Sequence, residues 1–296
     1  MSDQFSMLLA LDVDGTTLSP TGRVTPRTID ALNRVREGGV ACALATGRTW
    51  WESRGPIEAI GLSGPGVFAT GASIREQESG DSIASVHLNG EIIRQVAATI
   101  ESLGLPALVL GDIGVGAPEY IVTEGADLPS SLIQWIEYHR VDIVRATDIA
   151  TREWPAAIRI GTVAEPLAVE RVTRVLTEKF ADSCVHHMIN LPAYNVNVLE
   201  IFSPKATKWS GVQKVARHLK IDERNTIAFG DDVNDVTMLL NAGLGIAMGN
   251  ASSPAIAVAK AKTKTNAEDG LAHALELLIE CDFDLTRLKD QLKKAA

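Results

Sequence analysis

The sequence predicts an α/β fold, a parallel-sheet core with an α+β domain inserted into it. Three observations predict it. Short apolar runs alternate with helical patterns from the N-terminus to about residue 81. Over residues 82–190 the character changes to a stretch with its own helices and apolar runs but no dense acidic motif. The alternation then returns and continues to residue 296. Strands alternating with helices form parallel sheets, because each crossover helix carries the chain back to the starting edge. The core is therefore expected from residues 1–81 and 191–296, and the inserted domain from residues 82–190.

Element by element, Met7–Leu11 is a buried-strand run ended by acids. Thr25-Pro26 opens a helix, with Thr as cap and Pro at the first helical position. Ile29, Leu32 and Val35 mark its apolar face, and Gly38-Gly39 ends it. Val40–Ala45 is a second strand, residues 50–60 a helix that contains Pro56, and Val67–Ala69 a third short strand. In the insertion, helices at 91–103, 129–139 and 166–180 alternate with the runs Ala107–Leu110, Ala157–Ile160 and Val185–Ile189. The core resumes with strand Asn197–Ile201, helix Lys208–Leu219, strand Thr226–Phe229, helix 234–242 and strand Leu244–Ala247. Helices starting at Ser253-Pro254 and spanning Asp269–Ile279, then a lysine-rich helix at 285–296, complete the chain.

The chain has 296 residues, 46% of them apolar, which is enough for two packed domains. A net charge of −9 leaves no global basic footprint, so nucleic acid is not an expected partner. Cys42, Cys184 and Cys281 are far apart and form no CxxC pair, which argues against a disulfide framework and a structural zinc site. The N-terminus has no basic region before its apolar run, and no run is long enough to cross a bilayer. A cytoplasmic protein without membrane association is expected, its oligomeric state open.

Four segments carry the chemistry. In Leu11-Asp12-Val13-Asp14-Gly15-Thr16, residues two apart on an extended strand share a face, so Asp12 and Asp14 point the same way. Gly15 allows a sharp turn directly after them. The alternatives are a surface turn or a calcium loop, and the latter fails because Gly15 comes fourth and Arg23 stands twelfth. Thr46-Gly47-Arg48 also follows a strand; a hydroxyl, a free N–H and a guanidinium there suit a phosphate, or simply cap a helix. Gly230-Asp231-Asp232-Val233-Asn234-Asp235 places three acids and an amide after a buried run, with Asp232 or Asn234 expected to cap the next helix. Lys208, taken alone, is an ordinary surface lysine.

Taken in chain order, with Lys208 third and Gly230–Asp235 fourth, the four segments resemble the motifs of the haloacid dehalogenase superfamily of phosphohydrolases. The insertion is similar in size and position to the class IIB cap of its Cof-type subfamily, and Ala247–Ala251 and Asn266–Gly270 resemble that subfamily too. Two places depart from its pattern: Thr70-Gly71-Ala72 stands where Asn-Gly-Ala is usual, and Trp209 follows Lys208 where glycine is usual. The resemblance implies a Rossmann-like core and a phosphatase for a small phosphorylated metabolite, such as a sugar phosphate. It implies Asp12 as the nucleophile that forms an aspartyl-phosphate. Asp14 becomes the acid and then the base, which requires it to carry a proton in a closed site beside other acids. Thr46, Gly47, Arg48, Lys208 and Asn234 become phosphate or substrate contacts, and Lys208 also positions Asp12. A divalent cation is implied at Asp12, the backbone carbonyl of Asp14, Asp231 and the supporting Asp235. The all-oxygen donor set favours Mg²⁺. A phosphomutase of the phosphomannomutase type shares these motifs, and a non-catalytic sensor would need a broken one. His186-His187 are not expected to form a metal pair, since strand neighbours face opposite ways. Trp50-Trp51 are expected to be buried packing residues rather than to line the substrate mouth, and Lys289, Lys293 and Lys294 to form a solvated face.

Overall fold

The computed structural model describes residues 5–112, 120–139, 141–180 and 183–295. They divide into two compact units, one made by the chain up to Ala84 together with Thr207 onward, the other by Ser85–Ala206. The first unit begins β1 (Met7–Leu11), α1 (Pro26–Glu37), β2 (Val40–Leu44), α2 (Trp50–Ile60), β3 (Pro65–Phe68), β4 (Ser73–Glu76) and β5 (Ser82–Ser85). The second holds α3 (Gly90–Ser102), β6 (Leu108–Gly111), β7 (Tyr120–Thr123), α4 (Ser130–His139), β8 (Ile143–Ala146), β9 (Ala157–Ala164), α5 (Pro166–Phe180), β10 (Val185–Leu191) and β11 (Val196–Phe202). The first unit then resumes with α6 (Lys208–Leu219), β12 (Thr226–Gly230), α7 (Val236–Asn241), β13 (Leu244–Ala247), α8 (Ser253–Val258), β14 (Ala261–Lys262), α9 (Gly270–Glu280) and α10 (Leu285–Ala295).

In the first unit, parallel strands lie in the order β14-β13-β12-β1-β2. β1 is buried along its whole length, as a strand covered on both faces must be. Its side chains alternate between two layers: Leu9 and Leu11 pack with α1, α9 and α10, while Leu8 and Ala10 pack with α6 and α7. Leu11 pairs with Phe229 on one side and Leu44 on the other. The chain leaves β1 for β2, then returns to β12 and builds the other way. The boundary between β1 and β12 is thus the point where the winding reverses, the place open α/β sheets bind ligands. Asp12, Ala45-Thr46 and Asp231 all emerge from strand ends along this one edge.

The structure changes two expectations. Val67 belongs to β3, which touches the parallel sheet through a single bridge to Ala45 and otherwise pairs antiparallel with β4. The chain reverses at Ala69–Gly71, where three successive residues have positive φ, so β3 cannot continue as a core strand. The second change concerns the boundaries. Residues 191–206 were expected in the core, but β11 pairs antiparallel with β9 and β10 inside the second unit. Residues 82–84 were expected in the insertion but lie in the first unit, as part of β5 beside β4. The run Asn197–Ile201 directly precedes the Lys208 helix and so mimics a strand–helix unit of the core.

The second unit is a six-stranded sheet, order β10-β11-β9-β6-β7-β8, antiparallel except between β7 and β8. Ile93, Val96 and Ile100 of α3 and Val169, Val172 and Leu176 of α5 cover one face, against Val109, Ile160 and Ile201. Arg159 on β9 forms an ion pair with Glu200 and donates to the Tyr120 hydroxyl. Among the described residues no helix is long and apolar enough to cross a membrane.

Candidate active site

The sequence places an acid after β1, and the fold supplies its partners. The Asp12 N–H donates to the Phe229 carbonyl at 3.0 Å, continuing the β1–β12 ladder one residue into the site. Lys208, at the first position of α6, donates to Asp12 Oδ1 and to Asp235 Oδ1, each at 2.6 Å. Thr207 caps that helix and fixes where the lysine starts. Lys208 is only 1% exposed, so the residue that alone meant nothing is a buried cation between two buried carboxylates. The other oxygen of Asp235 accepts from the N–H groups of Asp231 and Asp232, at 3.0 and 3.1 Å. Asp235 thus closes the Gly230–Asp235 turn and aims the lysine, while Asp232 caps the turn through the Val233 N–H.

Gly15 is required for more than its positive φ of 74°. A Cβ there would lie 2.2 Å from Asp231 Oδ2, so the glycine lets the two acidic loops close on each other. Thr16 donates to Asp231 Oδ1 at 3.1 Å. Asn250 donates to the Gly15 carbonyl at 2.9 Å and to Asp231 Oδ2 at 3.4 Å, and its own oxygen accepts from the Asn266 N–H. The Ala247–Ala251 and Asn266–Gly270 segments therefore brace Asp231. The sequence reading did not assign Thr16 and Asn250, although both lie inside segments it had singled out.

Carboxylate oxygens of Asp12, Asp231 and Asp235 lie within 4.8 Å of one another. Two like charges at about 4 Å repel by roughly 4 kcal/mol at an effective dielectric near 20, and Lys208 offsets only part of this. Burial and Asp235 hold the Asp12 carboxyl well above the usual carboxylate range, against the pull of Lys208. Burial and then Asp235 push Asp231 up to about 6, while the Thr16 bond works the other way. Burial alone would lower the Lys208 pKa, but Asp12 and Asp235 outweigh it and raise it. A cluster of hard oxygens with surplus negative charge fits a divalent cation. Asp12 and Asp231 are the side chains suited to hold it, since both Asp235 oxygens are already engaged.

Asp14 is placed differently from its expectation. Its side chain is 61% exposed and accepts two bonds from Arg48, at 2.7 Å from Nε and 2.5 Å from Nη2. It does not belong to the acidic cluster, because β1 ends at Leu11 and the chain coils into a tight turn over Val13–Thr17, so Asp12 and Asp14 do not share a strand face. Arg48 is held by a further contact. Pro56 has no N–H to give the Glu52 carbonyl four residues before it in α2, and Arg48 Nη1 donates to that carbonyl instead, at 3.2 Å. Arg48 thus contacts Asp14 in this structure. Thr46 is buried and its hydroxyl accepts from the Arg48 N–H at 3.1 Å. Gly47 and Asn234 meet nearby, with Asn234 Nδ2 3.7 Å from where a Gly47 Cβ would stand.

Of the residues set aside, Trp51 departs from its expected burial, being 37% exposed at the start of α2. His187 lies tilted against Phe202 with ring centroids 5.5 Å apart, while His186 borders a pocket with Phe180, so the two rings face apart. Trp50 donates to the Gln77 carbonyl and packs edge-on against Trp51. Leu288 and Leu292 pack α10 into the core.

Residues 9–275 match the sequence pattern of the haloacid dehalogenase-like hydrolases. A 5-amino-6-(5-phospho-D-ribitylamino)uracil phosphatase of Bacillus subtilis is 27% identical over 286 residues, covering 91% of this chain and 96% of that protein. An HMP-PP phosphatase of Serratia proteamaculans is 27% identical, covering 82% and 84% of the two chains. Among solved structures, a haloacid dehalogenase-like hydrolase from Bacteroides thetaiotaomicron has a TM-score of 0.74 at 23% identity, covering 92% of this chain and 98% of that one. A HAD subclass IIB sugar phosphatase has a TM-score of 0.73, also at 23% identity, with the same coverage.

Proposed function

Because the chain belongs to the haloacid dehalogenase-like hydrolases, we propose that it is a magnesium-dependent phosphatase of a small phosphorylated metabolite, working through an aspartyl-phosphate on Asp12. The observation that carries this reading is Lys208, buried and bonded at 2.6 Å to both Asp12 and Asp235, at the edge where Thr46 and Gly47 also emerge. The names of two relatives describe phosphatases, and a structural neighbour is described as a sugar phosphatase, which favours a sugar phosphate or a metabolite of that size. The three free thiols fit a reducing compartment such as the cytoplasm.

In the first step an Asp12 carboxylate oxygen attacks phosphorus, and the bond to the leaving oxygen breaks. Thr46 and the Gly47 N–H hold non-bridging oxygens, and Lys208 offsets the charge that builds on them. The leaving oxygen takes a proton from Asp14. A water then gives its proton to Asp14 and attacks phosphorus, which releases phosphate and restores Asp12. Both Asp14 oxygens accept from Arg48 in this structure, so Arg48 has to let go before Asp14 can serve. A bound divalent cation, held by Asp12 and Asp231, would neutralise the anionic substrate.

The test is phosphate release from a panel of phosphorylated sugars, nucleotides and cofactor precursors, with Mg²⁺ and with EDTA. Turnover is expected for some members with Mg²⁺ and for none with EDTA. Asp12→Asn is expected to lower that turnover by about a thousandfold or more. Wild-type turnover in Asp12→Asn would remove the mechanism.

A further inference from the structure

We infer that Thr70 is a substrate contact whose hydroxyl donates to a phosphate oxygen seated over Gly47. This rests on the phosphatase reading and deepens it. Thr70 lies in the turn between β3 and β4, where Ala69, Thr70 and Gly71 have φ of 46°, 58° and 92°. A β-branched residue in the left-handed region is an outlier, kept only where the surroundings force it. Here they do. The Ala69 N–H donates to the Arg48 carbonyl at 2.8 Å and the Thr70 N–H to the Thr46 carbonyl at 3.0 Å. On the far side, a Cβ on Gly71 would stand 2.0 Å from the Thr207 carbonyl oxygen. The turn is therefore wedged between the Thr46–Arg48 loop and the start of the helix that carries Lys208.

The side chain held in this way is 3% exposed, and its hydroxyl has no hydrogen-bond partner among the described residues. Buried hydroxyls are nearly always satisfied. The neighbouring threonines follow that rule: Thr16 donates to Asp231, Thr17 to the Asp12 carbonyl, and Thr46 accepts from Arg48. Its direction is set by Gly47. The position of a Gly47 Cβ would be 3.6 Å from Thr70 Oγ1 and 3.7 Å from Asn234 Nδ2, with no other described residue within 4 Å apart from its neighbours Thr46 and Arg48. A hydroxyl and a carboxamide nitrogen thus bracket one small space above a glycine, beside the loop that presents the Thr46 hydroxyl and the Gly47 N–H. Donors converging on such a space suit an anionic oxygen. The strain and the unpaired hydroxyl are both accounted for if the partner arrives with the substrate.

The test uses Thr70→Val, which keeps the branched shape and removes the hydroxyl, and Thr70→Ser, which keeps the hydroxyl. Inorganic phosphate is titrated calorimetrically into the Mg²⁺-loaded proteins, and melting temperatures are measured without phosphate. Thr70→Val is expected to bind phosphate about tenfold or more weakly, the worth of one hydrogen bond to a charged group. Its melting temperature without phosphate should equal or exceed that of the wild type, because an unsatisfied group has been removed. Thr70→Ser should bind within about twofold of wild type. If Thr70→Val does not fold, Thr70→Ala carries the same expectation for phosphate. Wild-type affinity in the hydroxyl-less variant overturns the inference, and so does a fall in melting temperature with affinity unchanged. A wild-type protein that neither binds phosphate nor releases it from any panel member overturns the phosphatase reading itself, a distinguishable result.

Discussion

β1, β2 and β12 of the first unit read Met-Leu-Leu-Ala-Leu, Val-Ala-Cys-Ala-Leu and Thr-Ile-Ala-Phe-Gly, without a charge among them. β9 and β11 of the second unit are nearly as buried, yet carry Arg159, Thr162, Asn197 and Glu200 mid-strand. The difference follows from how each sheet is covered. Parallel strands with helices on both faces have no side on which a charge can stay near water. Charges in the first unit are displaced to the strand ends, where three loops bring them to one edge and leave them short of counter-charge. In the second unit helices α3 and α5 cover one face, and Arg159 and Glu200 neutralise each other on the other. The first arrangement stores unbalanced charge that a ligand and a cation can use, while the second consumes its charges internally.

Lys208→Met tests this contrast most severely. It leaves Asp12 and Asp235 buried without their shared ammonium, and removing one partner of a buried pair costs about 3–5 kcal/mol. Urea unfolding should show a loss of that size, and phosphate release should fall at least about a hundredfold. Unchanged stability would mean the charges at the sheet edge are not coupled. Arg159→Met makes the matching cut in the second unit. A loss of about 2–3 kcal/mol is expected, with turnover of p-nitrophenyl phosphate within about twofold of wild type. Lost turnover at full stability would erase the distinction between the units.

The smallest effect sharpens the same point. Asp12 and Asp231 are both raised above an unfolded carboxylate, Asp231 to about 6. The folded protein then holds protons that the unfolded chain has released. Asp231 favours folding most below about pH 4, and its contribution is lost as pH rises through about 6, while Asp12 acts in the same direction. A cation that binds the deprotonated pair acts in the opposite sense. Mg²⁺ should therefore raise the melting temperature by a few degrees at pH 7.5 and by little at pH 5, as read by scanning calorimetry. Equal shifts at both pH values would show that these carboxylates are not where the cation acts.

The edge chemistry was legible in the sequence because strand-end loops are contiguous: Asp12 with Asp14, Thr46 with Arg48, and Asp231 with Asp235 each sit within a few residues. Contacts between loops were not legible. Nothing local reveals that Arg48 reaches Asp14, that Asn250 braces Asp231, or that Gly15 makes room for a carboxylate from a loop more than two hundred residues away. β11 was assigned to the wrong unit because its position before Lys208 outweighed its composition. Asn197 and Glu200 inside the strand, set against the uncharged core strands, were the available signal. Thr70 was noticed only as a departure, since a positive φ on a threonine leaves no trace in one sequence.

Strand order has a consequence for how each new copy is made. Leu8 pairs with Ala41 on one side and Thr226 on the other, so β1, an inner strand of the sheet, acquires its second neighbour only late in translation. At about 5–20 residues per second the wait lasts on the order of 10–40 s, ample time for the strands of the second unit, all between Leu108 and Phe202, to pair first. Throughout that interval a wholly apolar strand has one open edge, the condition under which nascent chains stick to one another. Ribosome-bound copies halted before Thr226 should for that reason be the form most dependent on chaperones.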